Sequence, residues 1–260
     1  MRRRPLLLAA LPWPTLAASA LPDASPWTAL LRRHVRMLRG GQASQVDYAG
    51  FARDRAALQA WLAQLAAATR AAFDGASPPE QQAFLINAYN ACTVELILTR
   101  YPRLKSIKEL GSVFESPWKR ARFPLLGTTL SLDEIEHSWL RQRYVEPRIH
   151  AAINCASIGC PALRDEAYAA TSLEMQLNEQ MTRFLSDRSR NRIEGHTLML
   201  SRIFDWFEAD FSRVAGSLPA YLSRWADALG DTPEDRERVR RQQLRLRFLD
   251  YDWALNEVPR

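Results

Sequence analysis

Apolar positions recur at three-and-four spacing along most of the chain, which is the pattern of amphipathic helices. This spacing predicts helices over Trp27–Leu38, Phe51–Phe73, Pro78–Tyr101, Leu132–Tyr144, 171–188, 201–211, Pro219–Leu229 and Pro233–Arg247. Two segments, around Leu126-Gly127-Thr128 and around Glu194-Gly195, predict short hairpins. The chain is therefore expected to fold as an α+β domain, predominantly helical, with a few short antiparallel strands.

The helix predicted from Pro78 is apolar nearly all round, so it should be buried on every side. Its start is well marked, because Ser77 can cap it, Pro78 takes the first helical position and Glu80 can complete a capping box. Asn87 and Asn90 lie three residues apart on one face, and buried amides need partners. Two hypotheses stay open: these asparagines tie neighbouring loops to the helix, or they form the wall of a binding site.

The first twenty residues have the layout of a secretory signal peptide. Three arginines precede an apolar run from Pro5 to Ala18, and cleavage is expected after Ala20. Arg3-Arg4 also resembles a twin-arginine signal, so both export routes stay open, with the general route preferred. No other segment is long and apolar enough to span a bilayer. We expect a periplasmic or secreted protein with a helical segment at 21–45 and one domain at 46–260.

Charge and cysteine content narrow the function further. Removal of the predicted leader lowers the formal net charge from +6 to +3, because the leader contains three arginines and no acidic residue. The remainder has no long Lys/Arg block, so nucleic-acid binding is not expected. Three cysteines fit one disulfide plus one buried thiol in an oxidising compartment. Cys92, inside the apolar helix, is expected to be the unpaired one.

Residues 148–161, RIHAAINCASIGCP, carry most of the candidate chemistry. In a strand His150 and Cys155 face opposite sides, and in a helix they are about 140° apart. They can therefore meet only if regular structure breaks near Asn154. A turn through Gly159 supplies such a break.

Four interpretations of this stretch compete. Cys155 and Cys160 can form a disulfide, since a turn lets their Cα atoms approach within about 7 Å. Cys155 can instead be a nucleophilic thiolate, with a histidine as base and an asparagine as orienting residue or oxyanion donor. The residues available for those roles are His150, His196, Asn154 and Asn87. A metal site of His150, Cys155 and Cys160 is weak, because the spacing matches no standard zinc pattern. The fourth interpretation is core packing around a structural histidine.

An ordered set of motifs resembles the DUF547 family, a domain of unknown function. The motifs are AFLINAYNACTVELIL, SIKEL with a following tryptophan, SLDEIEH, PRIHAAINCASIGCPAL and YDWALN, and the similarity spans about residues 46 to 256. The resemblance implies no agreed activity. The positions that it marks are Asn87, Asn90, His150, Cys155, Cys160, Pro161, Tyr251, Asp252, Trp253 and Asn256.

Convergence of these separated polar residues in one pocket is the central hypothesis. His150, oriented by Asp252 and facing Cys155, would form the triad of a thiol-dependent hydrolase or transferase acting on an amide or peptide-like substrate. The residues expected to bind that small-molecule or peptide-like ligand are Asn87, Asn90, Asn154 and Cys160. The alternative is a non-catalytic binding or scaffold module stapled by a Cys155–Cys160 disulfide. No metal and no cofactor is expected.

Overall fold

The computed structural model describes residues 21–112 and 114–259, so the predicted leader at 1–20 lies outside the described residues. The α-helices are α1 Ser25–His34, α2 Tyr48–Arg53, α3 Arg55–Ala67, α4 Arg70–Gly75, α5 Pro78–Leu98, α6 Pro117–Arg120, α7 Leu132–Glu134, α8 Ile149–Ala152, α9 Leu173–Leu185, α10 Ile203–Trp206, α11 Glu208–Ala215, α12 Leu218–Ser223, α13 Ala226–Leu229 and α14 Pro233–Arg240. A π-helical segment covers Ile135–Arg141, and 3₁₀ turns cover Arg39–Gly41, Ile107–Leu110 and Ala170–Ser172.

Short strands of the described residues form three small sheets. The strands are β1 Val35–Leu38, β2 Ala43–Val46, β3 Arg122–Leu125, β4 Thr128–Ser131, β5 Arg192–Glu194, β6 Thr197–Leu200 and β7 Arg245–Phe248. β1 pairs with β2, β3 with β4 and β5 with β6, all antiparallel, while β7 joins β6 in parallel. Helices make up 53% and strands 13% of the residues that the structure describes, which confirms the predicted α+β fold with mostly antiparallel strands.

Both predicted hairpins are present, as β3–β4 and β5–β6. In the first hairpin, Leu126 and Gly127 have φ values of 55° and 75°. A two-residue turn with positive φ at both positions matches the twist of the strands that it joins.

The first predicted helix is shorter than expected. It was predicted over Trp27–Leu38 but ends at His34, because β1 follows and pairs back onto β2. Gly40 and Gly41 make this reversal, with φ values of 67° and 94° that L side chains rarely adopt.

Two further predicted helices differ from the structure, one because it is divided and the other because it is shorter. The helix expected over Phe51–Phe73 is divided into α2, α3 and α4. Thr69 accepts a hydrogen bond at the start of α4 and so begins a new helix there. The helix expected to reach Arg247 ends at Arg240, because Gln242 has a φ of 56° and strand β7 follows.

Helix α5 is the centre of the larger hydrophobic core. Nearly all of its residues from 83 to 98 are buried, as its apolar character predicts, and the predicted capping box joins Ser77 and Glu80. Helix α1 adds Trp27, Leu30 and Leu31 to the same core. The predicted boundary between a helical segment at 21–45 and a domain at 46–260 stays a prediction. A second apolar cluster contains residues of the C-terminal helices, from α9 through α14, and of the three-stranded sheet.

The buried amides of α5 hold two loops in place. Asn87 Nδ2 donates to the Tyr168 carbonyl at 2.8 Å, and its Oδ1 accepts from the Tyr168 N–H at 2.9 Å. Asn90 Nδ2 donates to the Ala152 carbonyl at 3.0 Å, and its Oδ1 accepts from the Asn154 N–H at 2.8 Å. These bonds satisfy backbone groups that neither a helix nor a strand satisfies.

Replacement of Asn90 by alanine should destabilise the fold by about 2–4 kcal/mol, because two buried backbone groups lose their partner. Urea unfolding followed by circular dichroism measures this loss. Gln59→Ala, at an exposed position of α3, is the control and should change the free energy of unfolding by about 0.5 kcal/mol or less. Equal effects of the two substitutions would contradict the anchoring role of Asn90.

Candidate active site

Residues of both apolar clusters line a cavity of about 210 Å³. Much of its wall is aromatic, formed by Tyr89, Trp118, Trp206, Phe207, Tyr251 and Trp253. Its polar and sulfur-bearing residues are Ser116, Asp133, Glu136, His137, His150, Cys155 and Cys160. A concave, mainly apolar space with a few convergent polar groups is the usual form of a small-molecule site.

The loop that carries Cys155 and Cys160 lies on this wall. The chain leaves helical structure after Ala152, which is the break that the sequence required. Ala156 then adopts a left-handed φ of 61°. The Cα atoms of Cys155 and Cys160 are 6.3 Å apart and their sulfurs are bonded, whereas Cys92 is free and buried. The disulfide interpretation and the unpaired Cys92 are thereby confirmed.

The two bonded cysteines differ in exposure. Cys155 is partly exposed, whereas Cys160 is 3% exposed. The Cys155 N–H donates to Cys160 Sγ at 2.9 Å, and the Ser157 hydroxyl lies 3.1 Å from Cys155 Sγ. Both cysteines line the cavity, and Cys155 is the more exposed of the two. Donors next to both sulfurs would favour thiolates after reduction.

Tyr251, which belongs to the C-terminal segment, packs against the loop that carries the two cysteines. Its hydroxyl lies 3.2 Å from Cys155 Sγ and 3.1 Å from Cys160 Sγ. Burial raises the pKa of Tyr251, so the hydroxyl keeps its proton and can donate it. A Cβ on Gly159 would come within 2.9 Å of the Tyr251 ring, so a side chain at this position would push the ring aside.

His150 contributes a nitrogen base to the same cavity. Its imidazole stacks on Phe207 with ring centroids 3.9 Å apart, and Nε2 is 2.7 Å from Asp210 Oδ2. Although burial acts to raise it, hydrogen bonds from His150 and Arg141 hold the pKa of Asp210 well below its usual range. The ionised carboxylate can only accept a hydrogen bond, so Nε2 must carry the proton.

The remaining nitrogen of His150 is free. Burial lowers the pKa of His150, while the hydrogen bond to Asp210 acts to raise it, so the ring is neutral at pH 7. Nδ1 is then an unprotonated acceptor, and it has no hydrogen-bond partner among the described residues. A carboxylate that fixes the tautomer and leaves one basic nitrogen free is the arrangement of a general base.

Glu136 faces His150 from a segment that was predicted as a regular helix over Leu132–Tyr144. The structure instead has the short α7 followed by π-helical turns, which are frequent at functional sites. Glu136 Oε1 is 3.8 Å from His150 Nδ1. Burial raises the pKa of Glu136 to about 7, although the positive charge of Arg141 and a hydrogen bond from Tyr89 oppose the shift. Near neutral pH this carboxyl can therefore give or take a proton.

The predicted orienting acid, Asp252, does not form a hydrogen bond with His150. Its side chain is exposed, and its Oδ1 accepts from the backbone N–H two residues further on, at 2.9 Å. Tyr251 and Trp253 both line the cavity. Because neighbouring side chains of an extended segment face opposite sides, Asp252 points away. Asp210 occupies the position that the sequence analysis assigned to Asp252.

The predicted binding asparagines lie behind the cavity wall. Asn87 and Asn90 hold the loops described above, and Asn154 Nδ2 donates to the Pro161 carbonyl at 2.8 Å. Asn154 Oδ1 accepts from the Ala156 N–H at 2.9 Å. None of the three asparagines lines the cavity. These contacts agree with the hypothesis that the asparagines tie neighbouring loops to α5. A role for them in ligand binding stays a prediction.

Two acidic residues of the site, Glu136 and Asp210, were not predicted from the sequence. Glu136 lies in the SLDEIEH motif, where an acid next to buried Ile135 is a signal that could have been noticed. Asp210 gives no local signal, because an acid in the first turn of a helix is common and stabilising.

The comparison with protein-family models gives one match. Residues 73–185 match the family described as "Protein of unknown function, DUF547". The chain contains a DUF547 domain. The DUF547 match includes Glu136, His150 and both bonded cysteines, whereas Asp210 and Tyr251 come from the chain that follows it. No curated protein and no solved structure matched.

Two further findings concern the part of the chain that the structure describes. None of its helices has both the length and the apolar character needed to cross a membrane. Across residues 21–112 and 114–259, no group of three or more His, Cys, Asp and Glu side chains is arranged to hold a metal ion.

The raised pKa of Glu136 predicts a pH-dependent stability difference. The carboxyl has a pKa of about 7 when folded and 4.5 as its ordinary value, so the native state binds more protons between these values and loses stability as pH rises. Relative to Glu136→Gln, the wild-type protein should lose about 2 kcal/mol between pH 5 and pH 8. Urea unfolding at both pH values measures the difference.

Glu234→Gln, at an exposed position of α14, is the control for removal of one carboxylate. Its stability should follow that of the wild-type protein across the same pH interval. If Glu136→Gln follows it too, Glu136 is not held in its neutral form by the fold.

Proposed function

We propose that this cavity is the active site of a thiol-dependent hydrolase or transferase that acts on an amide or peptide-like substrate. One observation carries the proposal: the partly exposed Cys155 and His150, whose Nδ1 has no hydrogen-bond partner among the described residues, line the same cavity. A nucleophile and a base held by a third group are the parts that covalent acyl transfer needs. Asp210 is that third group.

The chemistry requires the Cys155–Cys160 bond to be reduced first, by an external dithiol that supplies two electrons and two protons and itself becomes a disulfide. The Cys155 thiol then gives its proton to His150, and the thiolate attacks the amide carbonyl carbon. As the C–N bond breaks, the leaving amine takes the proton from His150 and a thioester remains. Water or an amine attacks this thioester, the C–S bond breaks, and the Cys155 thiol is restored. The Tyr251 hydroxyl, 3.2 Å from the Cys155 sulfur, stabilises the thiolate as a donor.

A non-catalytic binding or scaffold module is the second candidate function. The bonded sulfurs support it, because an oxidised Cys155 is not a nucleophile. The amides of Asn87, Asn90 and Asn154 also support it, since they bond to backbone groups rather than face the cavity.

We also propose that the protein is exported to the periplasm or secreted. The Cys155–Cys160 disulfide supports this proposal, because structural disulfides persist in oxidising compartments.

Alkylation by iodoacetamide separates the two functions. In Cys160→Ser protein, Cys155 is free without any reducing agent, and it should react at pH 7 about 100-fold faster than Cys92 or more. Cys92 is 2% exposed, and burial raises the pKa of its thiol. Mass spectrometry of the labelled peptides gives both rates. The same protein with Cys155→Ala added should show only the slow reaction.

The role of His150 is tested in the same Cys160→Ser background. His150→Ala should slow alkylation of Cys155 at pH 7 by about 10-fold, because the thiol loses its base. At pH 10, where solvent removes the proton, the two rates should converge. A rate that is slow at pH 7 in both proteins, or a loss that persists at pH 10, would support the scaffold module instead.

A further inference from the structure

Nδ1 of His150 is a buried hydrogen-bond acceptor that lacks a donor among the described residues. The residue is 3% exposed, and its Nδ1 has no partner among the described residues. A buried acceptor without a partner costs about 1–3 kcal/mol. His150 lines the cavity, so a ligand bound there can supply the missing donor.

A second acceptor faces the same space. Glu136 Oε1 is 3.8 Å from His150 Nδ1, which is too far for a direct hydrogen bond. One nitrogen or oxygen atom with two hydrogens can instead donate to both, at roughly 2.9 Å from each. The two acceptors therefore select a group with several donors on one atom.

The charge of the wall favours a cation. Two carboxylates, Asp133 and Glu136, line the cavity, and its described lining residues include no lysine or arginine. Burial lowers the pKa of His137, so that ring adds no positive charge at neutral pH. Arg141 lies close by but is bound to the Asp210 carboxylate at 2.6 and 3.1 Å.

The aromatic wall also suits a cation. Trp206 stacks on Trp253 with centroids 5.6 Å apart, and Tyr251 packs 4.5 Å from Trp253. Cations are attracted to the faces of such rings. The Lys108 ammonium lies 4.0 Å from the Trp253 centroid, so a cation is already in contact with one face of this ring. Trp206 is 45% exposed, so part of the aromatic cluster is open to solvent.

We propose that the cavity binds a primary ammonium group, with its nitrogen between His150 Nδ1 and the Glu136 carboxylate and its carbon substituent against the tryptophans. An alcohol offers one donor and no charge, and a carboxylate would be repelled by Asp133 and Glu136. That this amine is a substrate or acyl acceptor rests on the proposed function. The binding itself does not, because it needs no thiol.

Benzylamine is the probe, and calorimetric titration of the disulfide-bonded protein at pH 8 is the measurement. At this pH most of the Glu136 carboxyl is ionised, since its pKa is about 7. Benzylamine should bind about 10-fold more tightly than benzyl alcohol, because hydrogen bonds to charged groups are stronger than neutral ones. Equal affinity for the two compounds, or no binding of benzylamine, overturns the proposal without any variant.

Glu136→Gln locates the site. It should weaken benzylamine binding by about 10-fold and leave benzyl alcohol unchanged, because only the charge is lost. Glu234→Gln removes an equal charge from exposed α14 and should bind like the wild-type protein. Benzylamine binding that survives Glu136→Gln places the amine elsewhere and overturns the proposal. These titrations use the oxidised protein and do not involve a thiol. Failure of benzylamine binding therefore leaves the proposed thiol chemistry standing if Cys155 is alkylated fast. Slow alkylation of Cys155 likewise leaves amine binding standing if benzylamine binds as expected.

Discussion

The amide of Asn90 fixes the point at which the chain stops being helical between His150 and Cys155. It accepts from the Asn154 N–H at 2.8 Å and donates to the Ala152 carbonyl at 3.0 Å, so one buried side chain satisfies the backbone on both sides of the break. Without this break the imidazole and the sulfur would face different directions in any regular structure. The whole arrangement of the cavity therefore depends on a polar group that never enters it.

Burial then divides the acids of the site into two kinds. Asp210 receives hydrogen bonds from His150 and Arg141 and stays ionised, whereas Glu136 has no cation in direct contact among the described residues, and burial raises its pKa to about 7. The first acid can only orient the imidazole, and the second can exchange a proton. Two carboxyl groups on opposite sides of His150 thus have different tasks because their environments differ.

The sequence predicted those parts of the fold that depend on residues close together in the chain. The buried helix α5 with its capping box and the two hairpins follow from apolar spacing and turn residues, whereas the pairing of Cys155 with Cys160 was one of four interpretations that the sequence left open. Asp210 could not be predicted, because its role comes from the packing of α11 against His150, some sixty residues earlier in the chain. Asp252 was predicted as the orienting acid, but an acid between Tyr251 and Trp253 points away from the face that these rings share, and Asp210 bonds to the imidazole instead. Glu136 was missed because the π-helical turns change which side chains face inward.

The redox state of the Cys155–Cys160 pair decides which of the two proposed functions the cavity can have. The oxidised pair fits a binding or scaffold module, and the reduced pair fits a thiol enzyme. While the sulfurs are bonded, the Tyr251 hydroxyl lies within 3.2 Å of both, and no thiolate is present for it to stabilise. Reduction would place negative charge on a sulfur that already has donors from Tyr251 and Ser157, so the thiolate would form without rearrangement of its neighbours. The free nitrogen of His150 and the Glu136 carboxyl do not depend on that change. A binding site can therefore exist in the oxidised protein, and reduction would add a nucleophile to it.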